Sequence, residues 1–168
     1  MSSRNAHFPI LSSKAWCLVK NSVKVASKCD KMTREVASLT KIMTFYTALA
    51  LMKWLDIDIS QEVKITKACT WVGGTSARLK PGDTLTLLDL FHGLMLPSGN
   101  DAGLVISTYF GSRLIDQAKP KPDELLSTKS LFRSNTEVST FIKEMNHNAW
   151  KLGLSGTFYD SPHGLNNP

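Results

Sequence analysis

The sequence predicts an α+β domain, and three observations carry that prediction. Two short β-prone runs, residues 15–19 and 22–26, lie around Lys20-Asn21 and read as a hairpin. A helical run from about residue 38 to 55 is apolar nearly all round, with Ile42, Met43, Phe45, Tyr46, Ala48, Leu49, Leu51, Met52 and Leu55, the mark of a helix inside a core. Near the other end, residues 137–152 place Val138, Phe141, Ile142, Met145, Ala149 and Leu152 on one stripe, behind a capping Thr136 and before Gly153. Two strands do not make a stable sheet alone. The hairpin is therefore expected to pack on the first helix, with Trp16, Leu18, Val23 and Val25 turned to the core.

Composition narrows the class. The chain has 168 residues, long enough to bury a proper core, and 42% hydrophobic with 20% charged residues excludes general disorder. The net charge of +6 comes from scattered lysines without interleaved arginines and aromatics, so no nucleic-acid partner is expected. Cys17, Cys29 and Cys69 are odd in number and lack Cys-x-x-Cys spacing, which suggests neither a disulfide framework nor a zinc site; no metal or cofactor is expected. The first eleven residues lack the apolar segment of a signal peptide, and the longest apolar stretch, around residues 45–55, is too short to span a bilayer.

The elements between follow from local signals. Residues 29–35 are a polar connection, 56–61 a loop and 63–66 a short strand. Glycines and Pro81-Gly82 mark turns over 73–84. Thr86-Leu87-Leu88-Asp89 has the spacing of a capping box and opens a helix over 87–95. Pro97-Ser98-Gly99-Asn100 interrupts the helical pattern, and a new helix runs from Asp101 to Gly111. Residues 112–135, with Lys119-Pro120-Lys121-Pro122, read as an extended insertion. The tail, 157–165, is loop-like, and no internal repeat is present.

Chemistry enters at Ser38-Leu39-Thr40-Lys41. Residues three apart on a helix are face neighbours, about 5–6 Å between Cβ atoms, so Lys41 can reach the Ser38 oxygen. A serine hydroxyl is a poor nucleophile until a base takes its proton, and lysine is such a base only when burial disfavours its ammonium. The same spacing also describes an N-capping serine and a snorkelling lysine, so this motif alone leaves both readings open. Ser98-x-Asn100 adds a hydroxyl for a proton relay and an amide that donates and accepts. That triplet also occurs at Ser3-Arg4-Asn5; the order, the spacing and the position between two helices distinguish the second copy.

Over about residues 14–166 the chain resembles the low-molecular-weight penicillin-binding proteins, the serine-type D-alanyl-D-alanine carboxypeptidases. The resemblance rests on Ala37-Ser38-Leu39-Thr40-Lys41-Ile42-Met43-Thr44, Leu79-Lys80-Pro81-Gly82-Asp83, and Gly93-Leu94-Met95-Leu96-Pro97-Ser98-Gly99-Asn100-Asp101-Ala102. Met145-Asn146, Leu152-Gly153-Leu154 and Pro162-His163-Gly164-Leu165 complete it. It implies the α/β sandwich of the β-lactamase and transpeptidase type, with an antiparallel sheet on helices and a helical subdomain, in a partial catalytic domain over 14–168 after an extension over 1–13. It implies catalytic roles for Ser38 as nucleophile, Lys41 as proton acceptor and Ser98 as relay, and a substrate-binding role for Asn100. The implied substrate is a peptidoglycan stem peptide ending in D-Ala-D-Ala, with β-lactams as inhibitors and an extracytoplasmic setting.

The sequence departs from the family's pattern in several places. The family's Lys-Thr-Gly motif and closing strands lie beyond Pro168, which leaves the hairpin an expected open edge. Val36 and Ser161 stand where members usually carry Pro and Asn, and the Lys119–Pro122 stretch is an insertion. These departures keep two other readings in play: a non-catalytic binding module that docks a partner chain at the sheet edge, and a β-lactamase-like hydrolase.

Overall fold

The computed structural model describes residues 11–118 and 136–165. The chain divides into a unit ending at Arg34 and a second unit from Glu35 onward. In the first, β1 (Trp16–Lys20) and β2 (Val23–Lys28) form an antiparallel hairpin with a bulge at Leu18/Val19. Its two-residue turn is Asn21-Ser22, one residue later than expected, with φ of 50° and 61°. That left-handed pair matches the twist of the flanking strands. Leu18, Val23 and Val25 are 51%, 65% and 56% exposed, so they do not line a core as expected. Two strands enclose no volume, and the bulge breaks the alternation that would gather apolar residues on one face.

The second unit is mainly helical. α1 (Thr40–Leu55) follows a 3-10 turn over Ala37–Leu39. β3 (Glu62–Lys64) pairs antiparallel with β4 (Thr84–Thr86), Val63 opposite Leu85, and α2 (Leu87–Met95) continues directly from β4. α3 (Asn100–Ala118) and α4 (Thr136–Lys151) complete the unit. The expected single sheet is thus two separate two-stranded sheets among the described residues, and β4 was hidden in what reads as turn sequence. α3 runs past Gly111, so the first seven residues of the expected 112–135 insertion are helical. The insertion at Lys119–Pro122 and most of the extension over 1–13 lie outside the described residues.

The core is the meeting of four helices. Leu87, Leu90 and Leu94 of α2, Ile106 and Phe110 of α3, and Phe141 and Met145 of α4 are fully buried with Ala48 of α1. Phe45 meets Phe91 edge-on with ring centroids 4.9 Å apart, and Phe110 lies 6.4 Å from Phe141. Such pairs contribute about 0.5–1.5 kcal/mol beyond burial, and they fix α1 on α2 and α3 on α4.

α1 corrects the expectation of a helix apolar and buried all round. Its buried face carries Thr40, Lys41, Thr44 and Thr47 beside Met43, Ala48, Leu51 and Met52. Ile42, Tyr46, Leu49 and Trp54 are at least 40% exposed. The polar residues are buried because each finds a partner: Thr44 Oγ1 donates to the Pro162 carbonyl at 2.6 Å, and Asn148 Nδ2 to Thr47 Oγ1 at 3.3 Å. Buried hydroxyls with partners cost little.

The capping box holds as read. Thr86 Oγ1 accepts from Asp89 N at 3.1 Å, and the Asp89 carboxylate accepts from Thr86 N at 3.1 Å. Thr86→Ala is expected to lower stability by about 1 kcal/mol, a fall of about 3 °C in the thermal midpoint; Thr86→Ser should retain most of it by calorimetry.

Candidate active site

The 3-10 turn that carries Ser38 runs straight into α1, so Ser38 lies one turn before Lys41 with its backbone N–H at a helix N-terminus. Ser38 is exposed, while Lys41 is 2% exposed. Lys41 Nζ donates to Ser38 Oγ at 3.1 Å, to Asn100 Oδ1 at 2.7 Å and to the His163 carbonyl at 3.2 Å. This excludes the snorkelling alternative. The capping alternative fails too, since neither 3-10 turn nor α1 has a side-chain cap. Burial pulls the Lys41 pKa below 10.5, and the charge of Asp101 pulls it partly back.

Asn100, the first residue of α3, is 2% exposed and clamped at both ends. Its Nδ2 donates to the Gly73 carbonyl at 2.7 Å, which turns Oδ1 toward Lys41. The backbone ahead of it is tightly folded: Gly99 N donates to the Gly93 carbonyl at 3.0 Å, and a Cβ on Gly99 would lie 2.7 Å from that oxygen. Ser98, half-buried, adopts φ 58°, and its carbonyl accepts from Thr75 Oγ1 at 2.6 Å. Among the described residues the Ser98 hydroxyl forms no hydrogen bond to Ser38 or Lys41. The fold therefore brings Lys41 into direct contact with both Ser38 and Asn100 and sets Ser98 two residues before Asn100 in sequence.

Asp101 organises the neighbouring loop. Its buried carboxylate accepts from Ser76 Oγ at 2.7 Å, Ala77 N at 2.8 Å, Leu79 N at 3.2 Å and Ala102 N at 2.9 Å. Burial raises its pKa, but these donors outweigh it and the net shift is downward. An ionised Asp101 at the first turn of α3 also complements the helix dipole.

Sequence reasoning missed what the turn over 159–165 contributes. Asn146 holds it by two bonds to the Tyr159 backbone, both 2.8 Å, and Ser161 Oγ accepts from Gly164 N at 2.9 Å. Ser161 therefore has a turn-closing partner in place of the family's usual Asn. The turn presents the Pro162 and His163 carbonyls to Thr44 and Lys41. A backbone carbonyl has no side-chain signature, so only the Pro162-His163-Gly164-Leu165 string could have pointed to it. Among the described residues, no group of three His, Cys, Asp or Glu side chains could hold a metal ion.

Known proteins resemble this chain in sequence and in fold. The profile of the D-alanyl-D-alanine carboxypeptidase family matches residues 2–113. The D-alanyl-D-alanine carboxypeptidase DacC of Escherichia coli is 30% identical over 95% of this chain and 36% of its own length. DacF of Bacillus subtilis, another D-alanyl-D-alanine carboxypeptidase, is 30% identical over 77% of this chain and 27% of its own. Among solved structures, the carboxypeptidase DacD of Francisella tularensis superposes with a TM-score of 0.74 at 25% identity, covering 95% of this chain and 33% of that one. A Streptomyces DD-transpeptidase superposes at 0.70 with 30% identity, over 88% of this chain and 50% of that one. The chain thus spans about a third of the length of the curated relatives it matches. With the family profile covering two-thirds of its residues and the fold shared, this chain belongs to the D-alanyl-D-alanine carboxypeptidase family.

Proposed function

We propose that this chain carries the nucleophile half of a serine D-alanyl-D-alanine carboxypeptidase, which forms an acyl-enzyme on Ser38 from a peptidoglycan stem peptide. The observation that carries the reading is the three-cornered setting of Lys41. As an ammonium, Lys41 gives one N–H to each of its three partners. As a neutral amine it has two N–H groups, matched by the Asn100 and His163 carbonyls, and one lone pair. Of the three partners only Ser38 can donate to that lone pair. The two protonation states therefore make the same number of hydrogen bonds, and the 3.1 Å contact reverses direction when the proton moves.

In this mechanism the Ser38 oxygen attacks the carbonyl carbon of the penultimate D-alanine as its proton passes to Lys41 Nζ. The oxyanion forms near the Ser38 backbone N–H at the helix terminus. The C–N bond then breaks, the proton reaches the departing D-alanine amine by way of the Ser98 hydroxyl, and water later hydrolyses the ester. Asn100 keeps Lys41 aimed; with Oδ1 and one N–H of Nδ2 committed, it has one N–H left for a substrate amide. β-Lactams, whose ring carbonyl presents the same acyl centre, acylate the same oxygen. The test is incubation with a fluorescent penicillin followed by peptide mapping. The expected adduct lies on the peptide containing Ser38. A folded chain that takes no label, or takes it elsewhere, overturns the reading and favours the non-catalytic one.

A further inference from the structure

The imidazole of His163 is absent from the mechanism above, yet it is 2% exposed and sits in the turn that touches Lys41. Its Nδ1 accepts from Leu165 N at 3.2 Å. An accepting Nδ1 carries no proton, so the ring is neutral with its hydrogen on Nε2. A side-chain acceptor bonded to the N–H two residues on is the geometry of an Asx turn, here made by a histidine. Three consecutive residues hold the turn it closes against α1 and the 3-10 turn ahead of it. Pro162 accepts from Thr44, His163 accepts from Lys41, and Gly164 approaches the Ala37 carbonyl so closely that a Cβ would collide with it. The Nδ1 bond thus lies within the segment that supplies one of the two carbonyls holding the Lys41 amine.

We propose that His163 is a positioning residue that aims Lys41 only while its ring is neutral, giving the site an acid limit separate from the titration of Lys41 itself. Protonation places N–H against N–H at Leu165, opens the turn and withdraws the His163 carbonyl from Nζ. The charged groups facing the ring are Lys41 of α1, which opposes protonation, and Asp160 of its own segment, which favours it; Asp101 of α3 acts through Lys41. Burial is the largest influence and keeps the ring neutral to below the ordinary histidine value. The sign follows: the turn is intact above about pH 6.5 and is lost as pH falls through the depressed value.

The inference rests on Lys41 as proton acceptor, but its test does not require acylation. It compares the wild-type chain, His163→Asn and His163→Leu by NMR, following the Leu165 amide and the 13C-labelled Lys41 ε-carbon across pH. Asparagine can make the same turn and cannot titrate, so the acid step at the Leu165 amide should vanish while its exchange protection and the Lys41 midpoint stay. Leucine cannot accept, so Leu165 exchange should rise about fivefold or more and the Lys41 midpoint should move up toward the ordinary lysine value. An acid step persisting in His163→Asn, or unchanged protection and midpoint in His163→Leu, overturns the proposal. If His163→Leu does not fold, the asparagine comparison decides alone. Absence of penicillin labelling in wild type would count against the proposed function and not against this role.

Discussion

Lys41→Met is expected to slow acylation of Ser38 by a β-lactam by about 10²–10⁴, the usual contribution of a positioned general base. Methionine fills nearly the same volume but has neither lone pair on nitrogen nor N–H groups. Two effects on stability oppose each other. The carbonyls of Asn100 and His163 lose their donor, at about 1–3 kcal/mol for a buried unsatisfied group. Against that, the cost of keeping an amine 2% exposed disappears. The variant should therefore remain folded while labelling slows, which stopped-flow fluorescence with a reporter penicillin would measure. In the wild type, labelling should rise with pH, because the neutral amine is the active form, with a midpoint below 10.5 since burial has lowered the Lys41 pKa. A pH-independent rate, or full activity in Lys41→Met, would remove Lys41 from the mechanism.

Gly164→Ala should produce the largest loss of stability of any single methyl group added to the site. Gly164 has φ 82°, where a Cβ costs about 1–2 kcal/mol, and that Cβ would strike the Ala37 carbonyl, a backbone atom with no rotamer to change. Overpacking adds about 1–3 kcal/mol. Ala37 is itself at φ 47°, immediately before Ser38, so displacing it moves the proposed nucleophile. The expected result is a destabilisation of about 3 kcal/mol in urea unfolding, with acylation reduced by more than the unfolded fraction explains. A stability equal to wild type would show that the turn does not press on the nucleophile.

Much of the framework was legible because it rests on local signals. The Thr86–Asp89 capping box appears where expected, the helical pattern breaks between Met95 and Asn100, and Phe141, Met145 and Ala149 of the α4 stripe are buried, but Leu152 lies past the end of α4 and is 49% exposed. Ser38 and Lys41 were legible for the same reason, being one helical turn apart. The misreadings share one cause. Hydrophobicity suggested that α1 was buried on every side and that Leu18, Val23 and Val25 faced a core. Which face of an element is covered depends on partners elsewhere in the chain, and Thr44 and Thr47 are buried because Pro162 and Asn148 meet them.

Residue order and local spacing were enough for the family, for the places of the helices and for the closeness of Ser38 to Lys41. What surrounds Lys41 follows from the three-dimensional fold. Its burial, the Asn100 oxygen 59 positions away and the His163 carbonyl 122 positions away are long-range facts. The lysine's proton affinity depends on desolvation and on where carbonyl dipoles and the Asp101 charge lie. Those are properties of space, and no local pattern of residue types encodes them.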